Sequence, residues 1–121
     1  MRTGYKNQNE KNFSADIKLC CEYIHKNLHK KITLNELAEV CILNANYLSN
    51  KFTAETGLSI MEYIHTEKIK EAARLLRKSS FSISEISNYL CFSSQSYFTL
   101  LFKKIFNMTP YKYSQKYSTN I

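Results

Sequence analysis

The chain repeats itself. The stretch Ile32-Thr33-Leu34-Asn35-Glu36-Leu37-Ala38 returns 49 residues later as Phe81-Ser82-Ile83-Ser84-Glu85-Ile86-Ser87. Tyr47-Leu48 and Phe52 return as Tyr97-Phe98 and Phe102, now at an offset of 50. Gly57-Leu58-Ser59 with Tyr63 then return as Asn107-Met108-Thr109 with Tyr113. Each copy spells a short helix, a tight turn and a second helix. Self-similarity at a fixed period calls for two equivalent structural units. Two helix-turn-helix units in one basic chain point to a grip on DNA at two places.

The helix boundaries are written in side chains that can satisfy orphan backbone groups. Thr33-x-x-Glu36, Ser59-x-x-Glu62 and Ser82-x-x-Glu85 are capping boxes, in which hydroxyl and carboxylate each serve a backbone N–H of the first turn. Ile32 with Leu37, Leu58 with Tyr63 and Phe81 with Ile86 add a hydrophobic staple to each. Ser14 caps a first helix with an apolar face of Ile17, Cys20/Cys21, Ile24 and Leu28. The second helix of each unit is expected to start after the caps Asn44 and Ser93 and to end at Thr56 and Phe106. Gly57 and Asn107 follow, the two residue types that best tolerate a left-handed C′ position. The only proline, Pro110, opens a last helix after Thr109. Residues 1–12 are polar and aperiodic, and 1–13 read as a flexible tail or linker remnant.

Residues 14–57 and 81–117 thus form two subdomains of one 14–117 domain, joined by a linker helix over 59–78. Its stripe of Ile60, Ile64, Ile69, Ala72, Ala73 and Leu76 faces the core. The nineteen residues from Ile60 to Lys78, at ~1.5 Å each, span roughly 28 Å, near the ~34 Å between successive major-groove faces.

Leu48 and Phe52, four apart, mark the buried side of the first recognition helix. At ~100° per residue, Asn46, Ser49, Asn50 and Thr53 then face outward as base readers. Phe98 and Phe102 anchor the second copy likewise and expose Ser96, Thr99, Leu100 and Lys103, with Gln95 beside them. Leu100 has nothing to donate or accept; it touches a thymine methyl or the second unit reads bases poorly. The phosphate grip is assigned to Lys31, Lys51, Lys68, Lys103 and Lys104. Hydroxyls and N–H groups at helix starts, Thr33, Asn44, Tyr47, Ser82 and Ser93, join it.

Charge agrees with this reading. The 121 residues carry a formal +7 with a pI near 9.2, which favours a polyanionic partner. No Asp or Glu follows Glu85, while Lys103, Lys104, Lys112 and Lys116 do. No apolar run reaches the ~18 residues that cross a bilayer, and the N-terminus lacks a secretory pattern; the expected location is the cytoplasm. Cys20, Cys21, Cys41 and Cys91 have no metal-site spacing and read as small buried hydrophobes. His25 and His29, at i and i+4, could hold a metal, but without a His-Glu-x-x-His signature they read as surface histidines. No cofactor and no enzymatic activity are expected.

Leu37-Ala38, Leu43-Asn44, Tyr47-Leu48-Ser49, Phe52 and Glu55-Thr56-Gly57 resemble the first half of the AraC/XylS bacterial transcription-regulator domain. Phe92-Ser93, Gln95-Ser96-Tyr97-Phe98, Phe102-Lys103-Lys104 and Met108-Thr109-Pro110-x-x-Tyr113 resemble its second half. The resemblance covers residues 14–117. It implies an all-α, seven-helix fold of two homeodomain-like helix-turn-helix subdomains around a central linker helix. It also implies activation or repression at double-stranded promoter DNA, with RNA polymerase as a further partner and a monomeric domain. The sequence departs from the family at Asn50 and Leu100, where arginine is common, at Lys51, where a hydrophobic residue is frequent, and at Cys91 and Asn107, which replace glycines. A basic helical adaptor for RNA or protein is the competing reading; it explains the charge but not two matched capped units with polar outward faces. The linker-like start favours a DNA-binding part of a longer regulator over a stand-alone one.

Overall fold

The computed structural model describes residues 12–118, which hold seven helices and no strand. They are α1 (Ala15–Lys26), α2 (Leu34–Cys41), α3 (Ala45–Thr56), α4 (Ile60–Lys78), α5 (Ile83–Tyr89), α6 (Gln95–Phe106) and α7 (Pro110–Tyr117). The expected tail falls, through residue 11, outside the described residues. Its last member is corrected: Phe13 is buried, held beside Ser14, whose N–H donates to Glu55 Oε1 at 2.8 Å.

All three capping boxes form. Glu36 N–H donates to Thr33 Oγ1 at 3.1 Å, Glu62 N–H to Ser59 Oγ at 3.1 Å and Glu85 N–H to Ser82 Oγ at 3.0 Å. Pro110 stands in the first turn of α7 behind the Thr109 cap. One staple is looser than expected: Ile32 is buried, but Phe81 remains 52% exposed. The start of α6 moves by one residue. Ser94, not Ser93, is its cap, accepting from Tyr97 N–H at 3.0 Å. Two adjacent serines offer the same hydroxyl, and only the backbone path into the helix chooses between them.

The chain divides into two compact units, and the division falls inside α4. Among the described residues, one unit holds those up to Asn27 together with Ile32–His65; the other holds Leu28–Lys31 and those from Thr66 to Ser118. In the first, α1, α2 and α3 pack on one another around Ile17, Ile24, Leu37, Leu48, Phe52 and Tyr63, all fully buried. In the second, Ile69, Ala72, Leu76, Ile86, Leu90, Phe98 and Phe102 form the core. The repeat is visible in the packing itself. Phe52 meets Tyr63 edge-on at a centroid distance of 5.3 Å, and Phe102 meets Tyr113 edge-on at 5.3 Å.

Each turn between the paired helices places one residue in the left-handed region, Ile42 (φ 56°) in the first copy and Cys91 (φ 61°) in the second. These positions are 49 residues apart, the offset of the repeat. The position demands a positive φ, which costs a residue with a Cβ roughly 1–2 kcal/mol and is least tolerable for a β-branched one. Ile42 recovers nothing by burial, being 89% exposed. Ile42→Asn is therefore expected to stabilise the protein by about 1 kcal/mol and raise its thermal midpoint by about 4 °C. Unchanged or lowered melting would show that the isoleucine is not strained there.

Candidate nucleic-acid interface

On α3, Leu48 and Phe52 are fully buried, as the i, i+4 spacing requires. Asn46, Asn50 and Thr53 consequently stand exposed, with Ser49 half-buried beside them. The Asn44 cap orients this end: its Oδ1 accepts from Asn46 N–H at 2.8 Å and Tyr47 N–H at 3.1 Å. Only the Asn44 amide N–H groups are left to face a ligand. Tyr47 lies beside the cap, 54% exposed.

On α6, Phe98 and Phe102 are fully buried, while Leu101, Ile105 and Phe106 pack against the same core. Gln95, Ser96, Leu100, Lys103 and Lys104 are exposed and Thr99 is half-buried. The outward positions match across the repeat: Asn46 with Ser96, Ser49 with Thr99, Asn50 with Leu100 and Thr53 with Lys103. Both helices thus present short polar side chains around a matched position where one has an amide and the other an aliphatic group.

The expected phosphate grip is narrower than the sequence suggested. The backbone N–H groups of Thr33 and Ser82 are already taken, by Glu36 Oε1 at 3.5 Å and Glu85 Oε1 at 2.8 Å. The capping boxes that start α2 and α5 also put a carboxylate in each first turn, where it opposes an incoming phosphate. Only the two hydroxyl protons remain as donors. Lys51 is half-buried, with its Nζ 3.1 Å from Asp16 Oδ2 and 5.7 Å from the centre of the Tyr47 ring. The hydrogen bond to Asp16 raises its pKa and keeps the cation, but the charge is shared with a carboxylate. Lys31, Lys103 and Lys104 are exposed.

The profile of a family described as a helix-turn-helix domain matches residues 37–116. The chain belongs to the AraC-type helix-turn-helix family. Sequence-specific DNA binding in transcription regulation is the function of such domains. The chain is 34% identical over 97 residues to the Msm operon regulatory protein of Streptococcus mutans, covering 80% of this chain and 35% of that protein. It spans less than half the length of the curated relatives it matches. Among solved structures, the C-terminal domain of AraT, a response regulator from Geobacillus stearothermophilus, superposes with a TM-score of 0.81 at 27% identity, covering 89% of this chain and 90% of that one. The DNA-binding domain of AdpA, a global transcriptional factor solved in complex with a target DNA, shares the fold with a TM-score of 0.79 at 21% identity, covering 86% and 94%.

Two further features of this AraC-type domain escaped the sequence reading. Tyr97 is exposed beside the Ser94 cap, the counterpart of Tyr47; the 50-residue offset was the signal that pointed to it. The cysteines also divide. Cys20, Cys21 and Cys41 are buried, and burial pushes the Cys20 and Cys41 thiols up, as suits inert core residues. Cys91 is instead exposed, and its thiol donates to the His29 carbonyl at 3.3 Å. Among the described residues no group of three or more His, Cys, Asp or Glu could hold a metal. His25 Nε2 lies 3.3 Å from the Tyr63 hydroxyl, and the His29 ring stacks on Tyr89 at 6.2 Å.

Lys68 is the clearest correction. It is not a phosphate contact on the surface but a buried residue, 4% exposed. Its ammonium donates to the carbonyls of Leu28 at 2.7 Å, Lys30 at 2.9 Å and Leu90 at 2.6 Å. Burial lowers its pKa, while three acceptors for three N–H groups favour the charged form. The side chain ties the Leu28–Lys31 segment to the C-terminal end of α5, and both belong to the second unit. Lys68→Met leaves three carbonyls without that donor and is expected to cost about 2–4 kcal/mol, measured by urea unfolding. The salt dependence of DNA binding should not change; a slope shallower by about 1 would return Lys68 to the phosphate grip.

Proposed function

We propose that the domain binds an asymmetric double-stranded promoter site as a monomer, with α3 and α6 laid in successive major-groove segments. The observation that carries this reading is the pair of matched outward faces. The two helices bury the matched pairs Leu48 with Phe52 and Phe98 with Phe102, and turn Asn46 and Ser96, and Ser49 and Thr99, to the opposite side at equivalent positions. Asn46 and Asn50 are suited to the N6 and N7 edge of adenine, and Ser49, Thr53, Gln95, Ser96 and Thr99 to mixed donor and acceptor roles. The AdpA domain, of the same fold, was solved with a target DNA, which supports duplex DNA as the ligand.

The two units divide the labour. The first unit's α3 carries amides, and its nearest cation, Lys51, is paired with Asp16. The second unit carries Lys103 and Lys104 on an exposed helix end, in a stretch without a carboxylate after Glu85. Lys103, Lys104 and Lys31 supply the charge that tracks phosphates, with the Asn44 amide, Tyr47 and the hydroxyls of Thr33, Ser82 and Ser93 setting register. The domain acts by binding in the cytoplasm, without chemistry of its own, and regulates transcription through RNA polymerase; no helix of the described residues is long and apolar enough to cross a membrane.

Selection from random duplexes should return two short blocks about 10 base pairs apart, bound steeply less well as salt rises. Asn50→Ala should lose discrimination at one block by about 1–3 kcal/mol, whereas Lys104→Ala should weaken matched and random DNA alike and reduce the salt slope by about 1. Identical behaviour of the two variants on both DNAs would defeat the division of roles. Equal affinity for single strands would favour the RNA or protein adaptor.

A further inference from the structure

Leu100 is the one outward position of α6 that breaks the polar pattern of both recognition faces. It is 68% exposed, although it lies between Phe98 and Phe102, which are fully buried. The second unit does not lack apolar material on this helix: Leu101, Ile105 and Phe106 already pack against its core. The helix rotation that buries Phe98 and Phe102 leaves Leu100 on the face shared with Ser96, Thr99 and Lys103. Its counterpart in the first copy is Asn50, an amide at the same outward position. A leucine here can form no hydrogen bond with a base edge, and none with a phosphate.

We propose that Leu100 makes the second unit a thymine reader, through apolar contact with the 5-methyl group in the major groove. This rests on the proposed seating of α6 against duplex DNA. Thymine is the only standard base with an apolar group in that groove, so an aliphatic side chain facing it has one favourable partner. The neighbouring cations commit the face to a polyanion: Lys103 follows Leu100 by three residues and Lys104 by four, one helical turn along the same side. A protein partner seated on Leu100 would have to accommodate two exposed ammonium groups, which duplex DNA neutralises with phosphates. The two heads then read by different physics, the first by amide hydrogen bonds at Asn50 and the second by methyl burial at Leu100.

The test removes the methyl and nothing else. In the selected duplex, each thymine of the block read by α6 is replaced in turn by deoxyuridine, which keeps every donor and acceptor. Affinity is measured by fluorescence anisotropy at fixed salt. At one or two positions the replacement should weaken binding about fourfold, the scale of one buried methyl-sized group. Leu100→Ala should bind the parent duplex less well and be indifferent to the same replacement; its circular dichroism should match the parent because the side chain is mostly exposed. Leu100→Asn should shift the preferred base at that position from thymine toward adenine. Specific binding that ignores every deoxyuridine replacement overturns the thymine assignment while leaving the proposed function standing. Binding without sequence preference, or none to duplexes, overturns both. Sensitivity to deoxyuridine that survives in Leu100→Ala assigns the methyl contact to another residue and overturns the role of Leu100.

Discussion

The rotation of each recognition helix about its own axis is fixed by two side chains four residues apart, and the candidate interface depends on it. Leu48 with Phe52, and Phe98 with Phe102, are fully buried. A helix advances ~100° per residue, so burying that pair leaves no choice about which residues face away. A turn of the helix by one residue would swing Asn50 or Leu100 out of the outward face and put an aromatic ring in water. The aromatic contacts lock the arrangement further: Phe52 on Tyr63 and Phe102 on Tyr113 repeat the same edge-to-face geometry, each worth about 0.5–1.5 kcal/mol beyond simple burial. The polar tips of these tyrosines are handled differently. Tyr63 faces His25 at 3.3 Å, whereas Tyr113 receives Arg77 Nη1 at 2.5 Å.

Around that shared frame the copies have diverged where the frame permits. The αL turn position carries isoleucine in one and cysteine in the other, and the αL position after the recognition helix carries glycine in one and asparagine in the other. The outward faces have diverged in chemistry rather than in placement. An amide stands opposite an aliphatic group at the Asn50 and Leu100 positions, and a threonine opposite a lysine at Thr53 and Lys103. The repeat presents two equivalent platforms, and their side chains differ at exposed positions, where packing imposes no penalty.

Most helix limits were legible because their signals are local. A capping box needs two residues three apart, a proline sets its own φ, and a left-handed C′ position selects for Gly or Asn; each can be read without knowing what lies across the molecule. The recognition faces were legible for the same reason, since periodicity alone orients a short amphipathic helix. The misreadings share the opposite cause. Lys68 looks like any surface lysine until Leu28, Lys30 and Leu90, distant in sequence, bring three carbonyls to its ammonium. Lys51 looks free until α1 places Asp16 beside it. Phe13 looks like tail until it is buried.

The sequence by itself determined seven helices, two copies of one motif, and the outward set on each recognition helix, because these follow from hydrogen-bond accounting and helical period over spans of a few residues. Only the tertiary structure decided which charges are available to a ligand and where one unit ends and the next begins. The boundary lies within α4, and the Leu28–Lys31 segment belongs to the second unit although its neighbours in sequence belong to the first. Charge availability and unit boundaries are properties of what surrounds a group, and the low dielectric and fixed carbonyls around a buried ammonium are assembled from parts of the chain that no local pattern connects.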